Sequence, residues 1–230
     1  MTAPAQPELL CTALQRWDYR DALRRQLELR DLVIAEDAGR NYLMLVEHPP
    51  TITIGRSGTD GEVLADPDAL ERRGVTVVET NRGGKVTYHG PGQLVVYPIV
   101  DLRRRGPDLR RYLLDLQKWL VGVCRSCGVP AHADGPHTGV WVAHRKIASV
   151  GIAVRRWVTY HGVALNVCVD LREFDMIVPC GLAEPDMTSL ERELGAAPPM
   201  AEVADRAARQ FAEHFGMALR FAQLEHVRPG

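Results

Sequence analysis

Residues 81–93 read NRGGKVTYHGPGQ and run directly into LVVYPIV at 94–100. Seven consecutive apolar residues bounded by turn signals are too short for a helix that packs well and read as a buried strand. The segment before the loop, VTVVET at 75–80, is strand-like as well, so the glycine-rich stretch joins two strands. Its composition suits a site: four glycines and a proline, with Arg82, Lys85, Tyr88 and His89 and no acidic residue. Glycines remove side chains so that a ligand can lie against backbone N–H groups, while the cations and the histidine would supply donors toward an acyl oxygen or a phosphate. Nucleotide signatures fail here. Gly84-Lys85 is followed by Val86 and has no glycine five residues before Gly84, and Gly90-Pro91-Gly92 lacks the third glycine of a dinucleotide turn.

Outward from this loop, strands and helices alternate. Tyr19 to Ala38 reads as an amphipathic helix with Leu23, Leu27, Leu32 and Ile34 as its apolar positions. Strands are expected at Tyr42–Val46 and Thr51–Ile54, joined by His48-Pro49-Pro50, and a short helix follows Pro67. Asp108 caps a long helix carrying Tyr112, Leu113, Leu116, Leu120 and Val123. Two further strands flank an Ala-His-Arg-Lys turn at 143–146. Strict alternation in the second places Lys146, Ala148 and Val150 on one face, and Ile147, Ser149 and Gly151 on the other. Tyr160 to Val167 is a strand interrupted by Gly162, where His161 and Asn166 are either orienting groups or satisfied core polar residues. Thr188 to Glu191 fits a capping box, a helix spans about Ala201 to Phe215, and a last strand lies around Ala218 to Phe221. The pattern predicts one α/β domain over residues 1–230, a mixed β-sheet with flanking helices.

Bulk properties narrow the function. A formal net charge of −1 gives no basic excess for nucleic acid, and no apolar run approaches the roughly 20 residues of a membrane span. No basic segment precedes an apolar run at the N-terminus, so a cytoplasmic protein is expected. Five cysteines are an odd number in a chain that needs no staples, which argues for reduced thiols. Cys124 and Cys127 fall at the end of the long helix and read as packing. Eight histidines with no i, i+4 pair give no zinc signature, so no metal and no cofactor are expected. The run Arg103-Arg104-Arg105, with Arg110 and Arg111, reads as a solvated surface that could also receive an acidic protein.

Of 28 basic residues only Lys85, Lys118 and Lys146 are lysines. Lysine can give up its proton where its surroundings favour the amine, and arginine effectively cannot. Lys118 sits on an exposed helix position, whereas Lys85 and Lys146 lie in site-like segments. A charged amine on an inward-facing row needs a partner; a strand-end lysine reaching solvent is the other reading. In FDMIVPCGLAEPDMTS at 174–189, Cys180 stands between Pro179 and Gly181, which would set a thiol on a rigid, accessible turn. That makes Cys180 a candidate nucleophile, although a lone cysteine is also a common packing residue.

Several segments in order, RGGKVTYHGPGQL with VVYP, GVW then KIASVG, HGVALNV with Asp170-Leu171 and Phe174, and IVPCG with Thr188-Ser189-Leu190, resemble the lipoyl/octanoyl transferase family, relatives of the biotin and lipoate protein ligases. The resemblance implies the ligase-like α/β fold and octanoyl transfer from acyl carrier protein to a lysine of a lipoyl domain, in 2-oxoacid dehydrogenases and the glycine cleavage H protein. It implies that Cys180 forms the thioester with Lys146 as its partner. The family's acyl pocket maps onto Arg82, Gly83, Gly84, Lys85, Val86, Thr87, Tyr88 and His89, with Ser149, Val150 and Gly151, and Gly162, Val163 and Ala164. A thioester arrives activated, so the chemistry needs a nucleophile and no ATP. A free thiol near pKa 8.5 is only a few per cent ionised at neutral pH, and a neighbouring lysine could share its proton. Backbone N–H groups near Cys180 and Gly181, with His89, are candidates for the oxyanion site. Three rivals remain at this point: an ATP-dependent lipoate or biotin ligase, a cysteine hydrolase, and a non-catalytic binding module.

Overall fold

The structure is a computed structural model that describes residues 6–35, 39–135, 137–178 and 186–223. Along the chain come β1 (Glu8–Cys11), β2 (Gln15–Arg16), α1 (Tyr19–Ala35), β3 (Arg40–Glu47), β4 (Thr51–Ile54), α2 (Pro67–Arg72), β5 (Thr76–Glu79), β6 (Val86–His89), β7 (Gln93–Ile99), α3 (Leu109–Ser126), β8 (Gly139–Val142), β9 (Arg145–Arg155), β10 (Val158–Asn166), α4 (Leu190–Leu194), α5 (Met200–His214) and β11 (Ala218–Phe221). The large sheet has the order β11-β1-β3-β7-β10-β9-β8, with β2 paired to β3 off this path, and a smaller sheet has the order β5-β4-β6. Parallel pairs at the β11-β1-β3 edge and antiparallel pairs from β3 to β8 make the large sheet mixed, as the sequence pattern predicts.

β7 is buried along its whole length because both faces of the large sheet are covered. Leu94 and Val96 join a core built on α3 and α5, while Val95, Tyr97 and Ile99 join a second core under α1. Asp108 caps α3 by accepting from the Arg111 amide at 3.0 Å. Alanines 204, 207 and 208 let α5 approach α3 closely, so that the Trp119 indole N–H reaches the Ala207 carbonyl at 3.0 Å and its ring meets Phe211 edge-on at 5.1 Å. Cys124 and Cys127 pack in this core, and no cluster of metal-binding side chains occurs among the described residues.

Two local expectations are corrected. α1 does not bury Leu23 and Leu27; Ala22, Gln26, Leu29 and Val33 face the sheet together with Arg25 and Arg30. The reason is polar: Gln26 Oε1 accepts from the His161 amide at 2.8 Å, and the Arg30 guanidinium lies 4.8 Å over the Tyr160 ring. The cap of α4 is Ser189, whose hydroxyl accepts from the Arg192 amide at 3.1 Å, one residue later than the Thr188 box. Residues 36–38 of the expected first helix lie outside the described residues.

His48-Pro49-Pro50 carries the chain from the large sheet to the small one, since neither proline can continue a ladder. The small sheet packs on Phe174, Met176 and Ile177. No helix among the described residues is long and apolar enough to cross a membrane.

Candidate active site

A cavity of about 430 Å³ lies between the α1 side of the large sheet and the glycine loop, within the usual range for a small-molecule site. Of the residues expected there, Arg82, Gly83, Gly84, Lys85, Thr87 and His89 line it from the loop and β6, Lys146, Ser149, Val150 and Gly151 from β9, and Gly162, Val163 and Ala164 from β10. Alternation along β6 turns Val86 and Tyr88 away, into the core with Phe174. Tyr19, Val95, Tyr97, His137 and Thr138 complete the lining. No carboxylate lines it among the described residues, and three basic side chains, Arg82, Lys85 and Lys146, do.

Close backbone approach shapes these walls. The Gly83 amide donates to the Ile152 carbonyl at 2.9 Å, tying the loop to β9. A Cβ on Gly151 would come within 2.9 Å of the Gly83 carbonyl, and one on Gly162 within 2.0 Å of the Val96 carbonyl, so the sheet and loop seat only without side chains there. Arg82 is buried and donates to the Thr53 carbonyl and hydroxyl at 2.7 and 2.8 Å and to Gly83 O at 3.1 Å, which braces the loop against β4. Lys85 pairs with Glu62 at 2.9 Å at the rim.

Lys146 is 1% exposed, although it opens onto the cavity. Strict alternation would set it on the face of Ala148, opposite Ser149. Instead Val140 pairs with Ala148 and Trp141 with Lys146, so the register passes over Ile147. This bulge sends Ile147 and Ala148 together into the α3/α5 core, and both Lys146 and Ser149 to the cavity. Gly139, at φ 154°, makes room, since a Cβ there would stand 2.6 Å from Lys146 Cε. The side-chain nitrogen lies 5.6 Å from the centre of the Trp141 ring. The backbone of Lys146 is also strapped to the chain beyond the cysteine segment: its amide donates to Asp186 O at 2.9 Å, and the Thr188 amide donates back to Lys146 O at 2.9 Å. On the other side, the Val178 amide donates to Glu62 O at 2.8 Å. Cys180, Pro179 and Gly181 lie outside the described residues.

Two buried histidines, His89 and His161, line the cavity and a third, His48, packs against His89; burial above all pulls each below its usual range, His48 to about 4, His89 and His161 to about 3. All three are neutral at pH 7. Their partners then fix their tautomers. His48 Nδ1 faces the Trp17 carbonyl at 2.7 Å and must donate to it, so its Nε2 accepts from the Tyr97 hydroxyl at 2.7 Å. For His89 the relay is longer. Asn166 Nδ2 donates to the Thr188 carbonyl at 3.0 Å, which turns Asn166 Oδ1 toward Gln93 Nε2 at 2.9 Å; Gln93 Nε2 also donates to Tyr88 O at 3.2 Å. Gln93 Oε1 therefore accepts from His89 Nδ1 at 2.7 Å. His89 Nε2 is left without a proton. The ring offers the cavity a lone pair, and the donor role toward an oxyanion expected for it is corrected accordingly. Asn166 orients a site residue, one of its two readings. His161 sits at φ 56°, in the left-handed region, with Nε2 2.8 Å from Asn81 Oδ1 and with Nδ1 buried and without a partner among the described residues.

Residues 18–212 match the family model described as the lipoyl protein ligase A/B catalytic domain. The chain is 42% identical over 216 residues to an octanoyltransferase of Caldicellulosiruptor saccharolyticus, covering 93% of this chain and 92% of that one. It is 49% identical over 177 residues to an octanoyltransferase of Citrifermentans bemidjiense, covering 77% and 82%. In fold it is similar to a bipartite lipoate protein ligase of Thermoplasma acidophilum, solved in work on that ligase and its E2 lipoyl domain, with a TM-score of 0.74 at 18% identity over 94% of this chain and 86% of that one.

Proposed function

The chain belongs to the lipoyl protein ligase A/B catalytic domain family and is an octanoyltransferase of protein lipoylation, and from that premise we propose that it works by way of a Cys180 thioester with Lys146 as proton shuttle. The donor is octanoyl acyl carrier protein. The acceptors are lysines of lipoyl domains, in 2-oxoacid dehydrogenases and the glycine cleavage H protein, and the setting is the cytoplasm. The 1–230 chain acts as one catalytic domain.

The observation that carries this reading is Lys146, buried yet open to a cavity with apolar stretches in its wall, and hydrogen-bonded through its backbone to residues that follow Cys180 closely in sequence. The Lys146 amine takes the Cys180 proton, and the thiolate attacks the octanoyl carbonyl. The bond to the carrier sulfur breaks, and the carrier thiolate takes the proton back from Lys146. In the second half the neutral amine of the lipoyl-domain lysine attacks the thioester. The C–N bond forms, the bond to Cys180 Sγ breaks, and the amine's surplus proton passes by way of Lys146 to restore the thiol. Each methylene of the acyl chain buried against Val95, Val150, Val163 and Ala164 contributes about 0.8 kcal/mol to binding.

Mixing the enzyme with octanoyl carrier protein, without ATP, should give an octanoyl adduct on the intact protein that is absent in Cys180→Ala. Equal transfer rates for Cys180→Ala and the unaltered enzyme would overturn the covalent route, and a strict requirement for ATP and free acid would favour the ligase reading.

A further inference from the structure

Resting on that reading, we propose that His89 Nε2 is the group that receives an N–H of the attacking lysine and aims its lone pair at the thioester, so that His89 is a catalytic residue of the second half-reaction.

The relay from the Thr188 carbonyl through Asn166 and Gln93 ends at His89 Nδ1 and leaves Nε2 as an acceptor. Each donor along it has one orientation, because a backbone carbonyl at Thr188 and another at Tyr88 can only accept. The ring is held in place besides, stacked on Tyr19 at 5.9 Å and edge-on to His48 at 6.0 Å. Among the described residues Nε2 meets no hydrogen-bond partner, and His89 lines the cavity. The arrangement also starts where Lys146 is held, for the Thr188 amide donates to the Lys146 carbonyl.

An acceptor in this position has little to offer an acyl group, which brings only a carbonyl oxygen and hydrocarbon. A primary amine brings N–H groups. Arg82 and Lys85 already line the cavity with positive charge, so a lysine entering it must be neutral to approach and to attack, and a neutral acceptor can orient it without adding another charge. His89 keeps its own proton throughout. The proton lost from the amine goes to Lys146 and then to the cysteine sulfur.

The two half-reactions separate the test of this assignment from the test of the covalent route. His89→Phe and His89→Gln would be loaded with octanoyl carrier protein, adduct formation followed by intact mass, and transfer then started with a lipoyl domain. We expect His89→Phe to lose at least tenfold more in transfer than in adduct formation, about the thirtyfold expected for one well-placed hydrogen bond to a reacting group, and His89→Gln, which can present an amide oxygen, to regain part of the difference. Nitrogen NMR of the ring should show Nδ1 protonated and Nε2 bare from pH 6 to 9. Equal slowing of both steps in His89→Phe, or a ring protonated on Nε2, would overturn the assignment. Absence of any adduct on the unaltered enzyme would instead overturn the covalent route.

Discussion

The two faces of the large sheet are built from the same strands and do opposite work. Toward α3 and α5 the sheet presents Leu43, Leu45, Leu94, Val96 and Leu165 to helices whose facing residues are almost all apolar. Toward α1 the same strands carry Val95, Tyr97 and Ile99 into a second core, and beside the glycine loop Tyr97, His161 and Gly162 border the cavity. One face stores stability in close packing. The other is packed only under α1, and beyond that core it holds neutral imidazoles, a buried lysine and glycines that let backbones approach. The difference teaches that strand alternation does most of the separating of cavity from the α3/α5 core, and that one bulge, at Ile147, moves Lys146 to the cavity side.

Acid should break the cavity face first and with the largest effect. His89, His161 and His48 have folded-state values pulled to about 3, 3 and 4, below the roughly 6.5 of an unfolded imidazole. The unfolded chain therefore binds more protons between these limits. Stability is fully present above about pH 6.5 and falls as pH drops toward 4, by several kcal/mol in all. Denaturant midpoints measured from pH 8 to pH 4 should show this decline, and a flat profile would mean that the rings are not held neutral. On the opposite face, Phe211→Ala removes a fully buried ring between Trp119 and Phe215, and should lower stability by about 3–5 kcal/mol while the folded enzyme keeps its transfer rate. Ile147→Val, at the bulge, should cost about 1 kcal/mol by urea unfolding, with transfer within twofold, because the methyl group it loses lies in the core and Lys146 stays on the cavity side.

Much of this division is legible in the sequence. The apolar run Leu94–Val100, the turn signals around it and the Asp108 cap specify local structure that tertiary packing reinforces, so those elements fall where the pattern predicts. The glycine loop is legible by composition, since four glycines beside Arg82, Lys85 and His89, with no acidic residue, are the makings of a site. Other features depend on contacts distant in sequence. Period-two alternation cannot reveal the bulge at Ile147, because it arises from pairing with Val140 and Trp141 on the neighbouring strand. The buried polar face of α1 depends on Gln26 meeting the His161 backbone across 135 positions and on Arg30 lying over the Tyr160 ring. The tautomer of His89 depends on Asn166 and Thr188, and nothing near residue 89 in sequence announces either. Tyr19, Tyr97, His137 and Thr138 enter the cavity lining without any local motif.

Single-turnover transfer from octanoyl carrier protein by Lys146→Arg, followed from pH 6 to 9, tests most directly whether the buried amine at the cavity wall moves the protons of the reaction. Arginine keeps a positive charge and cannot act as a base. A rate lower by about 10³-fold across that range, the middle of what a general base supplies, is the expected result. A rate within threefold of the unaltered enzyme would show that the site runs without a proton acceptor at residue 146.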